Sequence, residues 1–228
     1  MEYVIPPHVV PSVAVANSTQ RFAVHRIYCV GRNYAEHAKE MGGDPEREPP
    51  FFFCKPADAV VENGSTIAYP LATKNFHHEV ELVVALKSGG THIKPEAALG
   101  AVFGYAVGVD LTRRDLQTAM REKGRPWDVG KAFDQAAPMA ALHAVNEMGH
   151  VNKARIVLSV NDVVKQQSDV NDMVWNVPEI IAHLSGLFEL QSGDLIFTGT
   201  PAGVGPLQKG DRIDASVAGI TPLTFSIV

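Results

Sequence analysis

The stretch His78–Lys87, which reads HEVELVVALK, is the longest strand candidate in this chain of 228 residues. Its second half, Leu82–Leu86, is apolar at every position, so we expect a strand that is covered on both faces and lies inside a sheet. Its first half differs, because Glu79 and Glu81 stand two residues apart. Side chains alternate between the faces of a strand, so these two carboxylates point to the same side. The stretch predicts a central strand that begins with a pair of acids.

Short apolar runs separated by Pro, Gly, Asp and Asn predict further strands on both sides of this one. They are Arg26–Val30, Pro49–Lys55, Ala59–Val61, Thr66–Tyr69, Phe103–Val109, Arg155–Val160, Val163–Gln166, Asp194–Thr198, Arg212–Val217 and Leu223–Val228. Helical patterns are fewer, at Asn33–Met41, Lys94–Leu99, Arg113–Lys123 and Pro178–Leu190. Strands and helices do not alternate regularly, which disfavours a doubly wound or barrel α/β fold. We expect an α+β, β-rich fold with a few helices packed outside the sheets.

The composition, 46% hydrophobic and 20% charged residues, is that of a globular protein. The net charge of −5 argues against a non-specific nucleic-acid binder, which would need a basic surface. The apolar runs are far shorter than the roughly 20 residues of a membrane-spanning helix. Residues 1–25 are rich in proline and begin without the positive charge of a signal peptide. We expect an extended N-terminal arm over 1–25, a single domain over 26–228, and a cytoplasmic protein without nucleic-acid or membrane partners.

The two cysteines, Cys29 and Cys54, fall in segments that resemble buried strands. Two buried thiols in a chain without an export signal are expected to stay reduced rather than to form a disulfide. This expectation agrees with the cytoplasmic location.

The acidic pair at Glu79 and Glu81 needs a positive partner, because two neighbouring carboxylates repel each other and resist burial. A divalent cation provides one, and a set of oxygen ligands suits Mg²⁺, Mn²⁺ or Ca²⁺. Asp110, which follows the strand Phe103–Val109, is a candidate third ligand, and three carboxylates leave positions open for water and substrate. His77 and His78 could supply further or supporting ligands. In the alternative, the glutamates lie on a solvated face and Asp110 only caps the next helix.

A second candidate group is the pair His37 and Glu40 within the predicted helix Asn33–Met41. Positions three apart share a helix face, so the carboxylate can orient the imidazole and raise its basicity. Such a pair can activate a water molecule near neutral pH. The alternative is an ordinary surface histidine beside a helical glutamate.

Lys131 lies in the aromatic segment Trp127–Phe133, where a lysine can bind an anionic substrate or stabilise an enolate. The alternative is a solvated lysine without a role. The glycine-rich run Thr198–Gly205 lacks both the Gly-Lys-Ser/Thr ending and the G-x-G-x-x-G spacing of nucleotide-binding loops. We therefore interpret it as a turn that lines a pocket.

Taken together, these motifs resemble the fumarylacetoacetate hydrolase family, in particular its compact bacterial members. The matching stretches, in the order of the family, are Tyr28–Met41 (YCVGRNYAEHAKEM), Phe53–Pro56 (FCKP), Asn75–Leu82 (NFHHEVEL), Gly104–Gln117 (GYAVGVDLTRRDLQ), Gly130–Phe133 (GKAF) and Gly193–Gly205 (GDLIFTGTPAGVG). The resemblance implies a catalytic domain with a rolled mixed β-sheet, usually paired as a homodimer.

The resemblance also implies roles for individual residues. Its metal ligands for Mg²⁺ or Mn²⁺ match Glu79, Glu81 and Asp110, and its catalytic residues match His37, Glu40 and Lys131. Its substrate-contacting side chains match Arg114, Gln117 and Thr200. Arg32 is a further candidate, because either Arg114 or Arg32 could bind the distal carboxylate of a diacid substrate.

The activity that this resemblance implies is metal-assisted hydrolysis of a carbon–carbon bond in a 2,4-dioxo acid. The N-terminal arm and the run 47–56 are most similar to the bacterial members that hydrolyse fumarylpyruvate in gentisate breakdown. Other compact members decarboxylate oxaloacetate, hydrolyse other acylpyruvates, or isomerise and decarboxylate dienol diacids. A non-catalytic metal-binding scaffold is the alternative from another class, although a scaffold would need only the carboxylates.

Overall fold

The structure is a computed structural model that describes residues 2–36 and 48–228. Its strands, numbered in chain order, are β1 (Ser12–Ala14), β2 (Arg21–Ala23), β3 (Ile27–Gly31), β4 (Phe51–Lys55), β5 (Val60–Val61), β6 (Thr66–Ile67), β7 (Phe76–His78), β8 (Val80–Leu86), β9 (Val102–Val109), β10 (Thr112–Arg113), β11 (Ala137–Pro138), β12 (His143–Ala144), β13 (Arg155–Val160), β14 (Val163–Asp169), β15 (Leu195–Phe197), β16 (Gly205–Leu207), β17 (Arg212–Val217) and β18 (Leu223–Ile227).

The α-helices of the described residues are short and few. They are α1 (Pro95–Ala98), α2 (Arg114–Glu122), α3 (Asp128–Lys131), α4 (Val145–Met148) and α5 (Val177–Leu187). Single 3₁₀ turns occur at Ala57–Ala59, Leu99–Ala101 and Val170–Asp172. The predicted β-rich α+β class is confirmed.

A six-stranded mixed sheet forms the centre of the molecule, in the order β12-β9-β8-β15-β3-β4. The stretch that predicted a central strand forms β8, and all of its residues from Val80 to Leu86 are buried. It pairs antiparallel with both β9 and β15, and β15 in turn pairs parallel with β3. The acidic residues at the start of β8 therefore lie inside the protein.

A second, five-stranded sheet has the order β14-β13-β17-β18-β6 and packs on the first through β13 and β17. Its hairpin β13–β14 turns at Asn161 and Asp162, whose φ angles of 50° and 66° are those of a type I′ turn. The sequence predicted this hairpin. A third, three-stranded sheet has the order β10-β7-β16, and its strand β7 ends directly before Glu79.

Several local predictions differ from the structure. Glu79 lies outside a strand, in the break between β7 and β8. Cys54 is exposed rather than buried, whereas Cys29 is buried as expected, and both are free thiols. The predicted helix Pro178–Leu190 ends at Leu187, because Phe188 takes an extended conformation and its ring packs 5.1 Å from that of Tyr28.

The predicted helix Asn33–Met41 starts too early, because Asn33 and Tyr34 are not helical and the helical conformation begins at Ala35; the part after Glu36 lies outside the described residues. Within the predicted arm, residues 2–11 have no strand or helix, and β1 and β2 then form a hairpin whose Val13 side chain is buried in the core. The division into an arm and one domain stays a prediction. Among the helices of the described residues, none has the length and apolar character needed to cross a membrane.

Candidate active site

Three buried carboxylates meet where β8 begins and β9 ends. Each of Glu79, Glu81 and Asp110 offers an oxygen atom that lies within 4.8 Å of those of the other two. The main-chain N–H of Asp110 donates to the carbonyl of Glu79 at 2.8 Å, which joins the two segments. The exposed fractions of the three residues are 5%, 1% and 0%, so the alternative of a solvated acidic face is wrong.

Asp110 does not cap the helix that follows it. The residue before α2 is Arg113, and no side chain caps that helix end. The two carboxylate oxygens of Asp110 instead lie 2.8 Å from Nζ of Lys55 and 2.6 Å from Nζ of Lys131. The negative charge of Asp110 is therefore compensated by two lysines and does not stabilise the start of α2.

Lys131, at the end of α3, is 2% exposed and joins two of the carboxylates. Its Nζ donates to Glu79 at 2.9 Å, to Asp110 at 2.6 Å and to the hydroxyl of Thr112 at 2.6 Å. Burial alone would lower the pKa of Lys131, but the charges of Asp110 and Glu79 outweigh burial and raise it. The lysine is therefore a fixed cation at the carboxylates, and the solvated alternative is wrong.

Lys55, the last residue of β4, is a site residue that was not predicted from the sequence. Besides its ion pair with Asp110, its Nζ donates to the carbonyls of Leu111 at 3.1 Å and Lys131 at 2.6 Å. The buried ammonium group of Lys55 thus links the carboxylate of Asp110 to the main chain of Lys131. The available signal was a lysine in an otherwise apolar strand, within the matched stretch Phe53–Pro56.

Glu81 is the least compensated of the three carboxylates. The main-chain N–H of Gly199 donates to it at 2.7 Å. Burial raises the pKa of Glu81 well above its usual range, and the nearby charges of Asp110 and Glu79 add to this effect. A divalent cation held by oxygen atoms would remove this cost, and the three carboxylates are the ligand type that Mg²⁺ and Mn²⁺ prefer. The residues present fit such an ion.

The glycine-rich run closes the site from the β15 side. Gly199 has φ +98°, and a Cβ there would lie 2.6 Å from Cβ of Asn33, so only glycine brings its N–H to Glu81 without strain. The next residue, Thr200, is buried and its hydroxyl accepts from Nε2 of Gln166 at 2.8 Å. The run leads into the strand β16 rather than a helix, as expected for a pocket-lining turn.

The two histidines before Glu79 are not part of the acidic group among the described residues. Nδ1 of His78 lies 2.9 Å from Oε1 of Gln166, and His77 contacts Asn75. Burial lowers the pKa of His77 to about 4 and also lowers that of His78, so both are neutral near pH 7. Gln166, which also supports Thr200, is a second residue that the sequence reasoning missed.

A cleft opens onto Glu79 and Glu81. All four predicted substrate-contacting residues, Arg32, Arg114, Gln117 and Thr200, line it together with Glu79, Glu81 and Lys131. Inside the cleft, the guanidinium group of Arg114 donates to both Glu79 and Gln117. His37 and Glu40 lie outside the described residues, so their roles stay a prediction.

Comparison with known proteins agrees with the fold. A family model described as fumarylacetoacetate (FAA) hydrolase C-terminal matches residues 26–228. A fumarylpyruvate hydrolase of Ralstonia sp is 43% identical over 184 residues, which are 81% of this chain and 95% of that relative. A mitochondrial oxaloacetate tautomerase of Mus musculus is 39% identical over 201 residues, which are 88% of this chain and 90% of that relative.

The similarity extends to solved structures. A crystal structure of fumarylpyruvate hydrolase from Pseudomonas aeruginosa in complex with Mn²⁺ and pyruvate superposes with a TM-score of 0.98 at 50% identity. The match covers 100% of this chain and 99% of that chain.

Proposed function

This chain belongs to the fumarylacetoacetate hydrolase family, and we propose that it hydrolyses fumarylpyruvate to fumarate and pyruvate. The observation that carries this proposal is the buried group of Glu79, Glu81 and Asp110 at the inner end of a cleft with Lys131. The similarity to a fumarylpyruvate hydrolase that binds Mn²⁺ and pyruvate supports it over the whole chain. The pathway that this reaction serves would be the breakdown of aromatic compounds by way of gentisate.

We further propose that the three carboxylates hold Mg²⁺ or Mn²⁺. When bound there, such an ion supplies Lewis acidity toward the keto oxygen of the substrate and the enolate that develops from it. The ammonium group of Lys131, held between Glu79 and Asp110, adds positive charge at the same place.

The proposed general base is His37, oriented by Glu40. It would take a proton from a water molecule that attacks the 4-carbonyl carbon of the substrate. The bond between C3 and C4 then breaks, its electron pair leaves as the pyruvate enolate, and a proton on C3 completes pyruvate. Replacing His37 by Ala should lower kcat by roughly 10²–10⁴-fold, the usual contribution of a general base. Metal affinity, measured by calorimetry, should be unchanged, and a variant with full activity would exclude this role.

The test of the function is a substrate assay on the purified protein with Mg²⁺ or Mn²⁺ and with chelator as the control. Fumarylpyruvate, acetylpyruvate and oxaloacetate are offered, and pyruvate, fumarate and carbon dioxide are measured. Metal-dependent release of fumarate together with pyruvate is the expected result. Absence of fumarate release under these conditions would overturn the proposed function.

The second candidate is chemistry on oxaloacetate, because the mouse relative at 39% identity is an oxaloacetate tautomerase. Tautomerisation or decarboxylation of oxaloacetate needs enolate stabilisation but no attacking water. Carbon dioxide from oxaloacetate without fumarate from fumarylpyruvate would favour decarboxylation. A change in the ultraviolet spectrum of oxaloacetate without carbon dioxide would favour tautomerisation.

For either function we propose a cytoplasmic homodimer.

A further inference from the structure

We propose that Arg32 and Arg121 form an anion site at the outer end of the cleft, which selects dicarboxylate substrates. This site would bind the carboxylate group farther from Glu79, Glu81 and Asp110. The inference rests on the proposed function, because it assigns one end of the substrate to the acidic group. It goes further because it assigns the distal carboxylate of the substrate to Arg32 and Arg121. Arg121 has no role in the proposed function.

The first observation is the line of side chains that α2 presents to the cleft. Arg114, Gln117 and Arg121 are spaced three and four residues apart, so they share one helix face, and all three line the cleft. Arg114 and Gln117 are 7% and 6% exposed, whereas Arg121 is exposed. The helix therefore runs from the carboxylates to the cleft mouth, and seven residues cover about 10 Å of its axis.

The second observation is the charge balance along the cleft. At the inner end, the cations Lys55, Lys131 and Arg114 contact carboxylates of the protein itself. Within residues 2–36 and 48–228, Arg32 and Arg121 form no ion pair with an acid. The mouth thus carries two guanidinium groups whose charge the described part of the protein does not neutralise. An anionic group of the ligand is the natural partner for them.

The third observation is how the main chain places Arg32. It follows β3 in the left-handed region, with φ 57°, which is uncommon for a residue with a side chain. The preceding residue, Gly31, pairs with Phe51, and a Cβ on Gly31 would lie 2.0 Å from that ring. The ring therefore lies against the backbone, and the guanidinium carbon of Arg32 is 5.8 Å from its centroid.

Between the two ends, one wall of the cleft is aromatic. Phe51 and Phe53 line it together with Trp127, whose ring packs edge-on against Phe51 with 5.2 Å between centroids. A flat, unsaturated carbon chain fits against such a wall. From its inner end to its mouth, the cleft thus has charged side chains, then an apolar wall, then charged side chains. This order complements a planar molecule with a carboxylate at each end.

The kinetic test compares two substrates that share the dioxo head and differ at the far end. Fumarylpyruvate has a distal carboxylate, and acetylpyruvate has a methyl group. Replacing Arg121 by Met should lower kcat/KM for fumarylpyruvate about 10–100-fold, the effect of one charge-assisted hydrogen bond. The change should appear mainly in KM, and kcat/KM for acetylpyruvate should stay within about threefold. Arg32→Met should behave alike, and Arg121→Lys should recover part of the loss.

A binding test separates this inference from the proposed function. Calorimetry with the Mn²⁺-loaded protein compares 2-oxoadipate, a diacid, with 2-oxohexanoate, the monoacid of equal length. The wild type should bind the diacid at least about tenfold more tightly, and Arg121→Met should remove the preference. If no fumarate is released in any assay but this preference exists and disappears in the variant, the anion site stands while the proposed function fails.

The matched control is Lys123→Met, which removes an exposed cation two residues after Arg121 that does not line the cleft. It should leave both substrate selectivity and diacid binding unchanged. The inference is overturned if the wild type does not prefer the diacid, or if Lys123→Met and Arg121→Met have equal effects. It is also overturned if Arg121→Met slows both substrates by the same factor.

Discussion

Glu81 shows what the acidic group costs the protein when no cation is bound. Its carboxylate is buried beside two others, and its pKa is raised because burial and like charges oppose its ionisation. Lys131 and Lys55 compensate Asp110 directly, whereas Glu81 accepts a hydrogen bond from the main-chain N–H of Gly199. The carboxylate of Glu81 therefore lowers the stability of the metal-free protein, whereas it raises the affinity of the protein for a metal ion.

Replacing Glu81 by Gln should reduce affinity for Mn²⁺ by at least the roughly 10–100-fold that loss of a residue supporting a metal ligand costs, because here a charged ligand itself is lost. The melting temperature of the metal-free protein should stay equal or rise, since the neutral amide is easier to bury and can still accept from Gly199. Calorimetry measures the affinity, and thermal unfolding in chelator measures the stability.

Glu122→Gln is the matched control, because it removes the same charge from an exposed position at the end of α2. It should change neither metal affinity nor the melting temperature. Unchanged Mn²⁺ affinity in the Glu81 variant would show that the three carboxylates are not the metal site.

The residues of the acidic group were predictable because their spacing in sequence reports their geometry. Glu79 and Glu81 flank one residue of a strand-like stretch, and Asp110 follows an apolar run directly. Arg121 and Lys55 were missed for different reasons. Arg121 is one charge among several on α2, and Lys55 meets Asp110 only through strand pairing that the sequence does not display.

At the scale of elements, Asn33 joins three segments around the cleft. Its Nδ2 donates to the carbonyls of Trp175 at 2.9 Å and Thr198 at 2.7 Å, and its Oδ1 accepts from the N–H of Trp175 at 2.7 Å. The side chain thereby fixes the turn after β3 to the end of β15 and to the segment before α5. That turn carries Arg32 and leads toward His37.

Replacing Asn33 by Asp should lower the free energy of unfolding by about 2–4 kcal/mol, measured by urea denaturation. The change removes two hydrogen bonds of about 1 kcal/mol each and turns a buried carboxylate toward two carbonyl oxygens. Asn63→Asp is the control, because Asn63 also bonds backbone groups but is exposed. It should lower the free energy of unfolding by less than about 1 kcal/mol. Equal losses in both variants would show that Asn33 does not hold the three segments together.

Element boundaries were predictable only where a local signal exists. The β13–β14 hairpin was found because Asn161 and Asp162 tolerate positive φ. The end of α5 was missed because Phe188 leaves the helix to pack on Tyr28, a contact distant in sequence. The break at Glu79 was also missed, since β7 and β8 belong to different sheets.

At the scale of the whole molecule, the β-rich class followed from the number of apolar runs, but the sheet order did not. The central sheet pairs β15 with β3 from the opposite end of the chain, and β8 lies between β9 and β15. Such pairings depend on which faces can be buried together, and no local pattern specifies them. The family resemblance supplied the rolled sheet that the strand pattern alone left open.

The exposed apolar residues of the arm lead to a prediction about assembly. Tyr3, Val4, Ile5, Val9 and Val10 are between 63% and 104% exposed on a segment without strand or helix. The β1–β2 hairpin anchors this segment, because the N–H of Val24 donates to the carbonyl of Pro11 at 2.8 Å. An anchored run of exposed apolar side chains is typical of a surface that another chain covers.

We therefore expect a homodimer of two 24.6 kDa chains in which the arm of each protomer packs on the other. Changing Val4, Ile5, Val9 and Val10 to Ser keeps the length of the arm but removes its apolar surface, so the dimer dissociation constant should rise at least about tenfold. Sedimentation equilibrium measures it, and Val163→Ser with Val164→Ser is the control, because these exposed valines lie on β14. An unchanged constant would exclude the arm from the interface, and a monomeric wild type would contradict the dimer itself.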